Sequence, residues 1–352
     1  MDRNSIIGFT LISVILVVWM VAMQPSKEQQ ARQEFLRDSL QKVEQVKQSQ
    51  VAAQVQQAQL TDTLAATTVA VSDSAASQQL QAEFGDFAIS AKGTDKSFVL
   101  ENDKIKLTLG LKGGKPLSVE IKNYQRHDSS DLVLFNDSAN VFGLNFFVNN
   151  RQVSTNDLFF ETTSPEVVLA KESSKKITLR LNAGKDRYIE YEYALEPGSY
   201  LVSYKVKLNG ISELANLRNN PLILDWRIQA NALERGDTWE KDNTMLDYKF
   251  REDEDVESLL SSKEKEEKEF TTSLKWFAFK QQFFSSILIA DTYFEDGKLS
   301  CERTHEQDSK TVMAYGASLT LATDGEKVQT IPFHFFFGPN KYNLLKNIEL
   351  PN

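Results

Sequence analysis

The sequence predicts a mainly β protein: a large antiparallel sandwich preceded by one transmembrane helix and a helical or flexible spacer. Three observations predict it. Runs rich in Val, Ile, Leu, Phe and Tyr alternate with polar residues, as in SFVLENDKIKLTLG, GKPLSVEIKNY and DRYIEYEYALEPGSYLVSYKVKLNG, and a period of two marks strands with one buried face. Turn formers stand between the runs: Gly113 with Gly114, Asn149 with Asn150, Pro197 with Gly198, Asp296 with Gly297. Each supplies the positive or preset φ that a tight turn needs. Finally, the composition changes twice along the chain, from apolar to Gln/Ala/Ser-rich to alternating.

Residues 1–5 form a short polar start. Residues 6–23, beginning at Ile6 and ending at Met23, read IIGFTLISVILVVWMVAM without a charge. At about 1.5 Å per residue they cover most of a hydrocarbon core of roughly 30 Å, with Trp19 near the far interface and Pro25 just after it. A cleaved signal peptide is the competing reading. It wants a shorter apolar run and small residues at the cut, which Met20, Val21, Ala22 and Met23 supply poorly. The expected partner of this segment is the lipid bilayer.

Residues 24–83 are a Gln/Ala/Ser-rich spacer, partly helical or disordered, with Phe35 almost its only aromatic residue before Phe84. Its first half permits a helical stalk. Its second half, TDTLAATTVAVSDSAAS, reads as flexible linker. The sandwich is expected over 84–340, since each strand presents an apolar face that a second sheet must cover. Inside it, REDEDVESLLSSKEKEEKE is dense with charge of both signs and reads as a solvated loop or short surface helix. Residues 341–352 lead away from the sandwich.

Composition narrows the function. With 40 Lys and Arg against 49 Asp and Glu, the formal net charge is -9, so no basic face is expected for nucleic acid, and binding of the water-soluble part to anionic lipid is disfavoured for the same reason. Cys301 is the single cysteine, and no disulfide framework can form within the chain. His127, His305 and His334 stand at no metal-ligand spacing, so neither a metal nor a cofactor site is read. Alternation puts His334 on one strand face with Phe336, opposite Phe333, Phe335 and Phe337, where a structural histidine is expected. No GxSxG, GxxxxGK[ST] or HExxH occurs. Glu234, Asp237 and Glu240 in ALERGDTWEKD are candidates for a glycosidase carboxylate pair, though a chain this acidic produces such clusters by chance. No catalytic residue is assigned. The most informative stretch is SLKWFAFKQQFFSSILIADTYF, in which Trp276, Phe283 and Phe284 offer large apolar surface while Lys280, Gln281 and Gln282 interrupt it. These six are the candidate structural or cleft positions.

The MDRNSIIGF start, VLENDKIKLTLGLKGGKPLSVEIKNY, KWFAFKQQFFSSILIA and the closing FHFFFGPNKYNLLK, in that order, resemble the YidC/Oxa1/Alb3 family of membrane protein insertases. The resemblance implies a first membrane helix with a cytoplasmic N-terminus, then a mutarotase-like β-supersandwich in the periplasm, at the bacterial inner membrane. It implies nascent membrane proteins and Sec translocon subunits as partners. In that family the insertase work belongs to further membrane helices, so the chain is expected to supply anchor and periplasmic domain as the N-terminal part of an insertase. A membrane-tethered carbohydrate-binding or mutarotase-like protein is the alternative, and a stalked structural protein of the envelope is a third.

Overall fold

The structure, a computed structural model, describes residues 69–136, 140–260, 264–304 and 310–346. The anchor read over 6–23, most of the spacer, His305 and the segment from 347 lie outside them. The chain divides into two units, Met1–Ala70 and Val71–Asn352, and every described strand lies in the second.

Helix α1 (Val69–Phe84) occupies sequence read as flexible linker up to residue 77. Ala75, Ala76, Gln78, Gln79, Leu80, Gln81, Ala82 and Glu83 are strong helix formers, and Phe84 at its end packs against the core. The strong helix formers of its second half thus outweigh the β-branched residues at its start. No helix among the described residues is long and apolar enough to cross a membrane.

The strands, in chain order, are β1 (Ser97–Glu101), β2 (Ile105–Gly110), β3 (Pro116–Gln125), β4 (Asp131–Val133), β5 (Val141–Val148), β6 (Arg151–Ser154), β7 (Val167–Leu169), β8 (Lys175–Asn182), β9 (Tyr188–Leu195), β10 (Leu201–Asn209), β11 (Ile223–Asn231), β12 (Met245–Phe250), β13 (Glu257–Leu260), β14 (Lys265–Phe270), β15 (Leu274–Lys280), β16 (Phe284–Arg303), β17 (Thr311–Leu321) and β18 (Val328–Pro339). Three short α-helices, α2 (Ile211–Leu214), α3 (Asp237–Asp242) and α4 (Tyr342–Lys346), and the 3-10 helices Gly85–Ser90 and Thr155–Asp157 complete the described chain.

A five-stranded sheet runs β4-β3-β2-β1-β7, antiparallel except for β1 with β7. A 13-stranded sheet has the path β6-β5-β11-β17-β16-β18-β10-β9-β8, with β12 to β15 branching from it. The branch point is the twenty-residue β16. Its first half pairs with β15 and β18, its second half with β14 and β17. The expected turn at Asp296 and Gly297 is instead the irregularity that joins these halves, for the register shifts between Phe294 and Gly297. Gly297 has φ +151°, and a Cβ there would stand 2.3 Å from the carbonyl oxygen of Ser318. Only glycine allows that close strand approach. The other three expected turns form, with positive φ at Gly113, Gly114, Asn149, Asn150 and Gly198.

Both sheets bury one face in a common core. On β9, Ile189, Tyr191, Tyr193 and Leu195 alternate inward; on β18, Phe333, Phe335 and Phe337 do the same. Trp226 is central, edge-on to Phe142, Phe277 and Phe335 at 6.2, 5.7 and 5.3 Å. Each such ring stabilises the fold by about 1.5–3 kcal/mol through burial and each ring pair by about 0.5–1.5 kcal/mol more. The mainly β sandwich of the sequence reading is what the chain forms.

The charge-dense segment is a correction. Instead of a loop or helix it forms β13 and β14. Glu267 pairs across strands with Lys298 of β16 at 2.5 Å and within β14 with Lys265 at 2.9 Å. Meanwhile Leu259 and Phe270 point inward.

Candidate cleft between the two sheets

One end of the sandwich leaves a cavity of about 330 Å³ lined by Tyr124, Gln125, Leu132, Glu234, Phe283, Phe284, Pro339, Asn340 and Lys341. Its walls come from both sheets: the ends of β3 and β4 on one side, the β15–β16 turn and the end of β18 on the other, with Glu234 just beyond β11.

The β15–β16 turn is held rigidly. The Gln281 amide donates to the Phe284 carbonyl at 2.8 Å, and Asn340 clamps the outside. The Asn340 N–H reaches the Phe283 carbonyl at 2.8 Å, its Nδ2 reaches the Gln281 carbonyl at 2.9 Å, and its Oδ1 accepts from Ser285 Oγ at 2.6 Å. Gln281 Nε2 ties the turn to the Asn231 carbonyl at 2.7 Å. The turn therefore presents Phe283 at 52% exposure while Phe284 lies buried, edge-on to Tyr124 at 5.2 Å.

On the opposite wall, β3 is irregular between Glu120 and Gln125, with Asn123 at φ +66°. That kink lets Tyr124 stack under the Lys341 ammonium, 5.5 Å from the ring centroid. The Tyr124 hydroxyl beside Lys341 holds that ammonium above the usual lysine range. Glu240 on α3 braces the Glu234 side, accepting from the N–H groups of Leu233 and Glu234 at 2.8 and 3.2 Å. Burial lifts the Glu240 carboxyl above its ordinary value, and those two amides oppose the rise.

Of the six positions singled out in sequence, Phe283 and Phe284 line the cleft, and Gln281 and Gln282 belong to the turn that carries them. Gln282 Oε1 is buried and has no hydrogen-bond partner among the described residues. The other two lie along β15. Lys280 bridges to Asp247 at 2.8 Å, and Trp276 joins a second apolar cluster of Ala278, Ile287, Ile289 and Phe336 on the outer sheet face. Tyr124, Glu234, Asn340 and Lys341 were not among the six. Glu234 stands in the ALERGDTWEKD acids, while Asn340 lies in the Pro-Asn step that ends β18 and Lys341 follows it.

The lining is aromatic and amide-rich, with one carboxylate and one ammonium. Such a surface holds apolar or mixed groups. Among the described residues it contains no histidine, and no three His, Cys, Asp or Glu side chains converge on a metal position. His334 does have a carboxylate partner, Asp291 at 2.8 Å, but the pair lies on β18 and β16 outside the cleft lining. His127 faces the Leu233 carbonyl at 3.4 Å.

Comparison with known proteins follows the same lines. The family described as YidC periplasmic domain matches residues 97–351. The membrane protein insertase YidC of Parabacteroides distasonis is 31% identical over 350 residues, covering 99% of this chain and 53% of its own length. That of Bacteroides fragilis is 32% identical over 349 residues, again with 99% and 53% coverage. The chain thus spans about half the length of the curated relatives it matches. Among solved structures, the periplasmic domain of Thermotoga maritima YidC aligns with 72% of this chain and 89% of its own, at TM-score 0.34 and 10% identity. A GalM/aldose epimerase homologue from C. elegans aligns with 70% and 99%, at TM-score 0.40 and 8% identity.

Proposed function

The chain belongs to the YidC family, matching its periplasmic domain, and from that membership we propose that it is the anchor and extracytoplasmic part of a membrane protein insertase. The observation that carries the proposal is the alignment of 99% of the chain with relatives named as membrane protein insertases. In this reading residues 6–23 hold the chain in the bacterial inner membrane, 24–83 space the domain from it, and 84–340 stand in the periplasm. The whole protein assists insertion of nascent membrane proteins, alone or beside the Sec translocon. Within the domain, Phe283 and Phe284 meet apolar segments at the cleft, Gln281 and Gln282 shape the turn, and Trp276 and Lys280 stiffen the strand behind it. No catalytic step is assigned to the domain. No specific observation favours the carbohydrate-binding alternative, because the His334–Asp291 pair is not part of the cleft lining.

Depletion of the full-length gene product from its own cells tests this. A single-span reporter protein should accumulate on the cytoplasmic side, unprotected when membranes are probed with protease, and re-expression should restore protection. Unchanged insertion after depletion would overturn the proposal.

A further inference from the structure

Ten large apolar side chains are exposed on the described surface. Phe283 at 52%, Tyr342 at 73% and Leu344 at 37% sit on the β15–β16 turn and α4, adjacent elements that the Asn340 clamp joins. Trp239, 67% exposed, lies on α3, which Glu240 ties to the Glu234 wall of the same cleft. Helix α4 is not short of a core contact, since Leu345 already packs against the outer-face cluster of Ala278, Ile287, Ile289 and Phe336. Tyr342 and Leu344 are left outside it.

The charge at this end is distinctive as well. Lys341 and Lys346 are exposed, each above an aromatic ring, Tyr124 at 5.5 Å and Tyr342 at 5.7 Å. Neither has a carboxylate partner among the described residues, in a chain whose net charge is -9. Protein interfaces deplete lysine at their centres. Aromatic rings and a leucine rimmed by ammonium groups without a carboxylate partner match instead the boundary between water and a bilayer, where rings sit among headgroups and lysines reach phosphate. The rigid turn means that Phe283 is already held in its exposed position, so seating it costs little ordering entropy.

We propose that this end of the sandwich seats on a bilayer containing anionic lipid, with Phe283, Tyr342, Leu344 and Trp239 entering the headgroup region and Lys341 and Lys346 pairing with lipid phosphate. The inference rests on the membrane placement of the preceding reading and adds which face of the domain meets the lipid. The strands running away from the cleft carry the β8–β9 turn to the far end, about 35 Å distant along β18, so that turn stays in water.

The test uses the full chain, reconstituted in mixed phosphatidylcholine–phosphatidylglycerol vesicles that carry spin-labelled quencher lipids. An environment-sensitive thiol probe is placed by Phe283→Cys, by Tyr342→Cys or, as the distal control, by Lys185→Cys. Cys301 is buried and burial pushes its thiol up to about 11, so neutral labelling goes to the new cysteine. Quenching at 283 and 342 should exceed that at 185 several-fold, and K341E/K346E or omission of phosphatidylglycerol should reduce it towards the control. Each variant is first checked for an unaltered unfolding midpoint. If the chain floats with the vesicles yet 283 and 342 quench no more than 185, this inference fails and the membrane placement survives. A chain that does not float at all overturns both. A crosslinker at 283 that captures protein in native membranes, without lipid quenching, also overturns the lipid assignment.

Discussion

Gly114 shows how one residue governs the packing of the core at the start of β3. It has φ +64°, and a Cβ there would stand 2.9 Å from Tyr191 and 3.0 Å from Phe160, two rings packed at a 31° tilt with centroids 4.7 Å apart. Its carbonyl accepts the Tyr193 hydroxyl at 2.8 Å, so the turn cannot shift without unpairing a buried phenol. Gly114→Ala therefore combines left-handed strain with overpacking and should cost about 2–4 kcal/mol. Gly198 provides the contrast, with φ +71° but its nearest neighbour 4.0 Å away. Gly198→Ala should cost only the backbone strain, about 1–2 kcal/mol. Urea midpoints of the two variants measure the difference, and equal losses would show that the rings make room. The glycine pair was legible in sequence as a turn. The rings that forbid a side chain there were not, because Phe160 and Tyr191 reach it from segments far along the chain.

At the scale of elements, the β13 and β14 strands explain where local pattern fails. Glu257, Lys265, Glu267 and Lys268 are exposed and form ion pairs at 2.5–3.9 Å, each worth little on an exposed surface. What fixes the strands is the inward set, Leu259 and Phe270, over buried Cys301. Two apolar residues among so many charges do not stand out as alternation, so the segment reads as loop until its partners β12 and β16 are in place. The KWFAFKQQFF block was legible because its aromatics are local. The cleft it helps to form was only half legible, since Tyr124, Glu234, Asn340 and Lys341 converge from separate elements. Cys301 offers a direct probe of this edge, because its thiol, pushed up to about 11 by burial, stays protonated and covered at neutral pH. Thiol labelling at neutral pH should then report opening of the β13 and β14 edge. Leu259→Ala should accelerate labelling well beyond Leu100→Ala, although Leu100 is equally buried in the other sheet. Equal acceleration would mean that Cys301 is reached only through global unfolding.

For the whole molecule, the question is where the folding unit begins. The family match starts at residue 97, yet the core reaches further back. Phe87 is fully buried and lies 5.5 Å from the Phe146 ring. Around it, Ser90 Oγ donates to the Asn182 carbonyl at 2.9 Å, the Phe159 N–H reaches the Ser90 carbonyl at 2.7 Å, and Asp86 pairs with Arg187 at 2.9 Å. The segment Gly85–Ser90 thus bridges β5 to β8, strands near opposite ends of the large sheet's path. By contrast, among the described residues the core cluster includes none before Phe84. A chain starting at residue 69 should consequently fold with a β-dominated circular dichroism spectrum and a cooperative guanidinium transition. A chain starting at residue 97 loses the Phe87 ring and its hydrogen bonds, and should be less stable by about 3–5 kcal/mol, the usual cost of emptying a buried aromatic site. The comparison is sharpened by Phe87→Ala in the longer chain, which should recover most of that loss with the backbone segment still present. If the chain from 97 unfolds at the same midpoint as the chain from 69, Gly85–Ser90 is an appendage and the sandwich closes without it.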